Sequence, residues 1–227
     1  MSGTILNYTV VSVEGNIGSG KSTLMSQLKQ KYEGNEGVIF LKEPVDEWAE
    51  IKDANGITIL EKFYGNQEKY SFPFQMMAFI SRLNLFKSVI KGLDPSKKYV
   101  IITERSLNTD RHVFAKMLFE TGKMEDVAYQ IYLNWFNVFS ADFPVHKVVY
   151  VNTCPNICYK RVNVRSREGE QQIPLEYLVS CDTYHNDMLK MDNNPGQLQL
   201  TLDGNVDIYE CNTQMEEWLN KIDDFIR

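Results

Sequence analysis

The sequence predicts an α/β fold, a five-stranded parallel sheet flanked by helices. Three observations carry this. Apolar, β-rich runs recur along the chain, with helical patterns filling the gaps between them. The first run opens directly into a glycine-rich loop and then a helix pattern. The chain has 227 residues and 43% hydrophobic content, which suits one domain, 1–227, with a substantial core.

The elements follow in order. Tyr8–Val13 is rich in β-branched residues and reads as a buried strand. Gly15–Thr23 fits G-x-x-x-x-G-K-[ST], the phosphate-binding P-loop. Leu24, Met25 and Leu28 then fall on one face of a helix. Val38–Leu41 is a second strand, ending just before Glu43. Asp53-Ala54-Asn55-Gly56 fits D-x-x-G but follows no clear strand, and reads as a turn. Tyr99–Thr103 is a third strand, followed by Glu104-Arg105. The stretch 124–141 holds Tyr129, Tyr132, Trp135, Phe136 and Phe139, an aromatic-rich helix read as core in preference to a ligand cage. Being apolar on more than one face, it also suits a dimer interface. Lys147–Asn152 is the fourth strand. Lys160, Arg161, Arg165 and Arg167 then crowd together before Glu168, Gly169 and Glu170. With a P-loop in the same chain, an arginine-bearing lid over about 160–172 is preferred to a solvated helix end. Gln197–Leu202 is the last strand, before Asp203. Ligands of such sheets bind at the carboxyl ends of the strands, which singles out Glu43, Glu104, Arg105 and Asp203.

The loop's chemistry follows from its residues. Its glycines let backbone N–H groups approach phosphate oxygens, and the helix beginning near Lys21 adds its positive end. Lys21 would bridge the β- and γ-phosphates, and the Ser22 hydroxyl would ligate Mg²⁺. Composition narrows the partners. A net charge of −6 disfavours nucleic-acid binding, which needs a basic surface. No apolar run approaches the length of a membrane span, and residues 1–7 resemble neither a signal nor a transit peptide. The expectation is a cytoplasmic protein with no membrane or nucleic-acid partner. Cys154, Cys158, Cys181 and Cys211 form no C-x-x-C and read as reduced thiols in preference to a zinc site. His112, His146 and His185 give no support to a His-based triad.

A P-loop alone leaves switch GTPases, motor-like ATPases and small-molecule kinases open. The tetrad Asn220-Lys221-Ile222-Asp223 fits N-K-x-D but follows no expected strand, as a guanine reader would. A kinase needs a group to orient the acceptor hydroxyl and take its proton, and Glu43, beside Pro44 at a strand end, suits that role better than a simple strand cap.

Several blocks together resemble the cellular deoxynucleoside kinase family, which includes deoxycytidine, deoxyguanosine and mitochondrial thymidine kinases. They are the P-loop with Asn16-Ile17, Glu43-Pro44-Val45-x-x-Trp48, Ser71-Phe72-x-Phe74-Gln75 with Ser81-Arg82, Glu104-Arg105-Ser106 with Asp110-Arg111, and Arg161-x-x-x-Arg165-x-Arg167 leading to Ile173–Leu178. The resemblance spans residue 8 to about 190 and implies a P-loop kinase fold with an Arg-rich lid. It implies roles as follows. Glu43 is the general base on the deoxyribose 5′-hydroxyl, and Arg105 holds that hydroxyl or the Glu43 carboxylate. Glu104 joins Ser22 around Mg²⁺. Gly15, Asn16, Gly18, Ser19, Gly20, Lys21, Ser22 and Thr23 hold the ATP phosphates with Arg161 and Arg165. Arg161, Arg165 and Arg167 neutralise the moving phosphoryl. Tyr64 and Glu170 bind the 3′-hydroxyl. Trp48, Phe74 and Phe114 sandwich the base, and Gln75 reads its Watson–Crick edge. A homodimer through helices near 71–90 and 124–141 is implied as well.

Arg82 and Asp110, with the small Ala78 nearby, stand where thymidine-preferring members look apolar, whereas the deoxycytidine and deoxyguanosine kinases share the pair. An Asp carboxylate can accept from an exocyclic amine, and thymine would match it poorly. This gives a preference for deoxycytidine and purine deoxynucleosides; the alternative is a structural ion pair away from the base. The chain departs from the family pattern at Gly18-Ser19, Tyr70 and Gln171-Gln172, and the donor-base loop Asp203–Asp207 matches only loosely, which leaves the choice of triphosphate open. A nucleoside monophosphate kinase is the rival enzyme, but Glu43 would repel an acceptor phosphate. A nucleotide-binding regulator without turnover is the rival outside enzymes.

Overall fold

The computed structural model describes residues 7–165, 169–191, 198–206, 208 and 213–227. Arg167, Glu168, Gln197, Asp207 and Cys211 lie outside these. Five strands, β1 (Asn7–Glu14), β2 (Val38–Leu41), β3 (Lys98–Glu104), β4 (Lys147–Asn152) and β5 (Leu198–Asp203), form one parallel sheet in the order β2-β3-β1-β4-β5. Each lies within two residues of its sequence expectation, and β2 and β4 coincide with it. β1 is central, pairing from Asn7↔Lys98 to Val13↔Glu104 with β3 and from Val11↔Lys147 to Glu14↔Tyr150 with β4.

The helices are α1 (Lys21–Lys31), α2 (Val45–Ala49), α3 (Ile59–Gly65), α4 (Gln67–Lys91), α5 (Leu107–Thr109), α6 (Lys116–Glu120), α7 (Asp126–Phe139), α8 (Pro155–Arg165), α9 (Leu175–Met191) and α10 (Gln214–Ile226). Between α5 and α6 the chain stays helical but is wound as a π-helix over Asp110–Ala115.

Alternation along the strands sorts side chains between two cores. Val10 and Ile101 join the apolar residues of α3, α4 and α7 on one face. Val11, Val13 and Ile102 join Leu24 and Leu28 of α1 and Trp218 and Ile222 of α10 on the other. All five strand residues are fully buried, each stabilising the fold by about 1.5–3 kcal/mol. The central strand is thereby clamped from both sides, and the loop that follows it inherits a fixed origin. α3 starts with a complete capping box, Thr58 accepting from the Glu61 N–H while the Glu61 carboxylate accepts from Thr58 N–H. Asp53–Gly56 is the expected turn, with Gly56 N–H bonded to Asp53 O at 3.0 Å.

The aromatic helix is less buried than expected. Only Tyr132 and Phe136 of α7 are buried in the core, while Val127, Ile131, Trp135 and Val138 are exposed along one side. Trp135 stacks on Phe139 at the surface, so the core reading holds for one face of this helix and fails for the other.

Candidate active site

One cavity of about 530 Å³ opens at the carboxyl ends of the strands. Its wall takes residues 17–23 after β1, Glu43, Val45 and Trp48 after β2, Glu104 and Arg105 at the end of β3, and Val206 and Ile208 after β5. α8 closes it with Lys160, Arg161, Val164 and Arg165.

The P-loop forms one end. Gly15, Gly18 and Gly20 take φ of 145°, 79° and 102°, all in the region that favours glycine. At Gly18 a Cβ would also meet the Cys158 carbonyl at 2.6 Å, so the loop packs directly on α8. Gly20 is the N-cap of α1 and no side chain caps that helix, which leaves its first N–H groups for an anion. Lys21 is 4% exposed and donates to Asn16 O at 2.6 Å. Burial, then the nearby Arg105, lowers its pKa to about 7, against the pull of Glu104 and Glu43. The Asn16 side chain does not face the cavity: it donates to Leu178 O and accepts from Ile17 N–H, shaping the loop from behind. The Ser22 hydroxyl donates to Glu104 Oε1 at 2.6 Å. A hydroxyl and a carboxylate side by side are hard oxygen donors that fit Mg²⁺, which takes few protein ligands and completes its shell with water and phosphate. Arg161 donates to Gly204 O at 2.9 Å and Val206 O at 3.3 Å, tying α8 to the turn after β5. Arg165 pairs with Glu170, which is 5% exposed. Gly169, at φ 84°, lies against α3, where a Cβ would meet Glu61 N at 3.1 Å.

The opposite end is a charge network. Arg105 Nη1 donates to both Glu43 oxygens, at 2.8 and 2.9 Å. Arg82 donates to Glu43 Oε1 at 3.0 Å, to Asp110 Oδ2 at 2.9 Å and to Glu104 O at 2.6 Å. Burial works to raise the Glu43 pKa, but Arg105, Arg82 and Lys21 overcome it and hold the carboxyl well below its usual range. Burial pushes Asp110 up to about 6, against the pull of Arg82. Beyond these charges lie the aromatic residues. Trp48 meets Phe74 edge-on at 5.5 Å and donates from its indole to Ser81. The Arg105 guanidinium sits 5.1 Å from the centre of Phe114. The side-chain oxygen of Gln75 and Nε of Arg105 are buried without a hydrogen-bond partner, which is costly unless a ligand supplies one.

The cavity wall therefore brings together Gly18, Ser19, Gly20, Lys21, Ser22, Thr23, Glu43, Trp48, Tyr64, Phe74, Gln75, Ala78, Glu104, Arg105, Asp110, Phe114, Arg161, Arg165 and Glu170. Arg82 stands behind the wall, ion-paired with the cavity-facing Asp110 and Glu43. Asp203 is corrected: it is exposed and accepts from the Asn205 N–H and amide, away from the cavity. Arg167 lies outside the described residues. The sequence reading passed over Leu60, Phe63 and Tyr177, which also line the cavity. Phe63 stacks on Phe74 at 4.4 Å, and Tyr177 meets Tyr64 edge-on at 6.0 Å. Helical spacing in α3 could have paired Phe63 with Leu60, one turn away.

The deoxynucleoside kinase family model matches residues 11–227. Among curated proteins the chain is 32% identical to human (Homo sapiens) deoxycytidine kinase, over 95% of this chain and 90% of that protein. It is 30% identical to deoxycytidine kinase 1 of Xenopus laevis, over 99% and 93%. A fowlpox virus protein described as a probable deoxycytidine kinase is 31% identical, over 95% and 87%. The chain belongs to the deoxynucleoside kinase family, with the family's P-loop kinase fold, and is an enzyme of that kind.

Proposed function

We propose that this kinase transfers the γ-phosphoryl of ATP, or another nucleoside triphosphate, to the 5′-hydroxyl of a deoxynucleoside in nucleotide salvage. It prefers deoxycytidine and purine deoxynucleosides to thymidine. The observation that carries this is the Glu43–Arg105 pair, set in the same cavity as Lys21 and the Ser22–Glu104 couple. The names of its relatives support the same acceptor class.

The residues divide the work. The P-loop N–H groups and Lys21 hold the triphosphate, and Mg²⁺, when bound at Ser22 and Glu104, supplies charge neutralisation between the phosphates. Arg105 keeps Glu43 ionised and aimed. A carboxylate with so low a pKa is a weak base, so Glu43 first accepts a hydrogen bond from the 5′-hydroxyl and takes its proton late. A largely dissociative phosphoryl transfer needs no more, since positioning and charge neutralisation dominate. Arg161, Arg165 and Arg167 stabilise the transferring phosphoryl, while Tyr64 and Glu170 hold the 3′-hydroxyl. Trp48, Phe74 and Phe114 enclose the base, and Gln75 and Asp110 read its edge. Asp110, facing the cavity as an acceptor, favours an exocyclic amine over a thymine carbonyl. A homodimer through α4 and α7 belongs to this reading, supported by the exposed Ile80, Val127, Ile131, Trp135 and Val138. No helix among the described residues is long and apolar enough to cross a membrane.

Steady-state kinetics on the four deoxynucleosides, with deoxycytidine monophosphate as a fifth acceptor, tests the reading. Deoxycytidine or a purine deoxynucleoside is expected to give the highest kcat/KM. Thymidine or the monophosphate in first place overturns it.

A further inference from the structure

Glu14 ends β1 one residue before the P-loop, and no step above uses it. It is 1% exposed. Its Oε1 accepts from Ser12 Oγ at 2.5 Å and from Ser106 Oγ at 2.8 Å, and its Oε2 accepts from Thr109 Oγ1. Among the described residues no Lys, Arg or His forms an ion pair with it. A buried carboxylate solvated by hydroxyls alone is expensive to maintain, and its arrangement is correspondingly stiff. Each hydroxyl has one proton, and all three are given to Glu14, so the positions of Ser106 and Thr109 are fixed relative to β1.

Those two residues bracket the segment that carries the acceptor-end charges. Arg105 immediately precedes Ser106, and Asp110 immediately follows Thr109. Arg105 is the one non-glycine residue with positive φ, 63°, among the described residues, a conformation the surroundings must impose. Its N–H is bonded to Val13 O at 3.0 Å, beside Glu14, and Asp110 N–H reaches Ser106 O at 3.3 Å. The chain turns at Arg105 between one bond to the backbone of β1 and another to the carboxylate that ends β1.

We infer that Glu14 is a positioning residue: through Ser106 and Thr109 it holds Arg105 and Asp110 in register with the P-loop. The same strand end therefore sets the origin of both the phosphate loop and the acceptor-hydroxyl network. A shift of about an ångström between them would spoil in-line transfer without touching either binding site's composition. The inference rests on the proposed roles of Arg105 and Asp110.

The test is Glu14→Gln, which keeps the shape but turns an amide donor toward a hydroxyl that is itself donating. With ATP and the best deoxynucleoside, kcat is expected to fall about tenfold or more, with KM for ATP held within about twofold. In an Arg105→Lys background the same substitution is expected to lower kcat less than about twofold, because its target is already displaced. Thr109→Val removes one donor at nearly constant volume and serves if Glu14→Gln does not fold. It should give a smaller fall with the same loss of effect in the Arg105→Lys background, and Thr109→Ser should restore kcat. Unchanged kcat, or an equal fall in both backgrounds, overturns the inference. A wild-type enzyme that phosphorylates no deoxynucleoside overturns the functional reading and this inference with it; a working wild type with an unaffected Glu14→Gln overturns this inference alone.

Discussion

At the acceptor end of the cavity the charges answer one another: Glu43 takes Arg105 and Arg82, and Arg82 also takes Asp110. At the donor end, Lys21 and Arg161 lean on backbone carbonyls at Asn16, Gly204 and Val206. Arg165, paired with Glu170, lies between the two regimes. The end with the closed ion network is the preformed one. A closed ion network has its geometry before any ligand arrives, so it suits an uncharged sugar hydroxyl that brings little binding energy. Cations resting on carbonyl dipoles have spare capacity for a polyanion, whose own charge completes the site.

Four measurements bear on that contrast. The largest effect is expected from Glu43→Ala, which should cut kcat by roughly 10²–10⁴-fold while triphosphate binding, measured by calorimetry, persists. Unchanged turnover would remove Glu43 from the chemistry, and intact binding with no wild-type turnover would favour a regulator. Next is Arg82→Met, which leaves the buried Asp110 without its cation while Glu43 keeps Arg105. Thermal and denaturant unfolding should register a loss of about 3–5 kcal/mol. A loss under about 1 kcal/mol would show that the network is not the rigid element. The third concerns Lys21, whose pKa near 7 in the free protein must rise when phosphates bind. Triphosphate binding should therefore take up a proton above pH 7, and affinity should fall roughly tenfold between pH 6 and 8. Calorimetry in buffers of different ionisation enthalpy reads the uptake directly. The smallest effect runs the other way. Protonation of Asp110 as pH falls through about 6 should raise KM for deoxycytidine only about threefold, because a neutral carboxyl keeps one accepting oxygen. Acid sensitivity at the acceptor end and alkaline sensitivity at the donor end would be the signature of the contrast; a shared pH profile would erase it.

Local chemistry explains what was legible beforehand. The P-loop, the strands and Glu43 announce themselves because glycine spacing, β-branched runs and strand ends are short-range patterns. The direction of Arg82 is not legible, because it depends on where α4 meets the end of β3, which no spacing encodes. Asp203 met the strand-end rule yet turned outward, because the Asx turn with Asn205 claims its carboxylate. Phe63 and Tyr177 were missed because aromatic residues in helix patterns look alike whether they face a core or a cavity. That α7 is apolar on more than one face is legible, but which face meets the core is not, for the same reason.

The strand order has a consequence for how such an enzyme diversifies. The P-loop hangs from β1, the innermost strand, while Glu43 and Trp48 of the cavity wall follow β2 and Val206 and Ile208 follow β5, the two outermost. An edge strand tolerates insertion, deletion and retwisting far better than a strand locked between two neighbours. The cavity wall can therefore vary at either margin while the loop after β1 keeps its fixed origin.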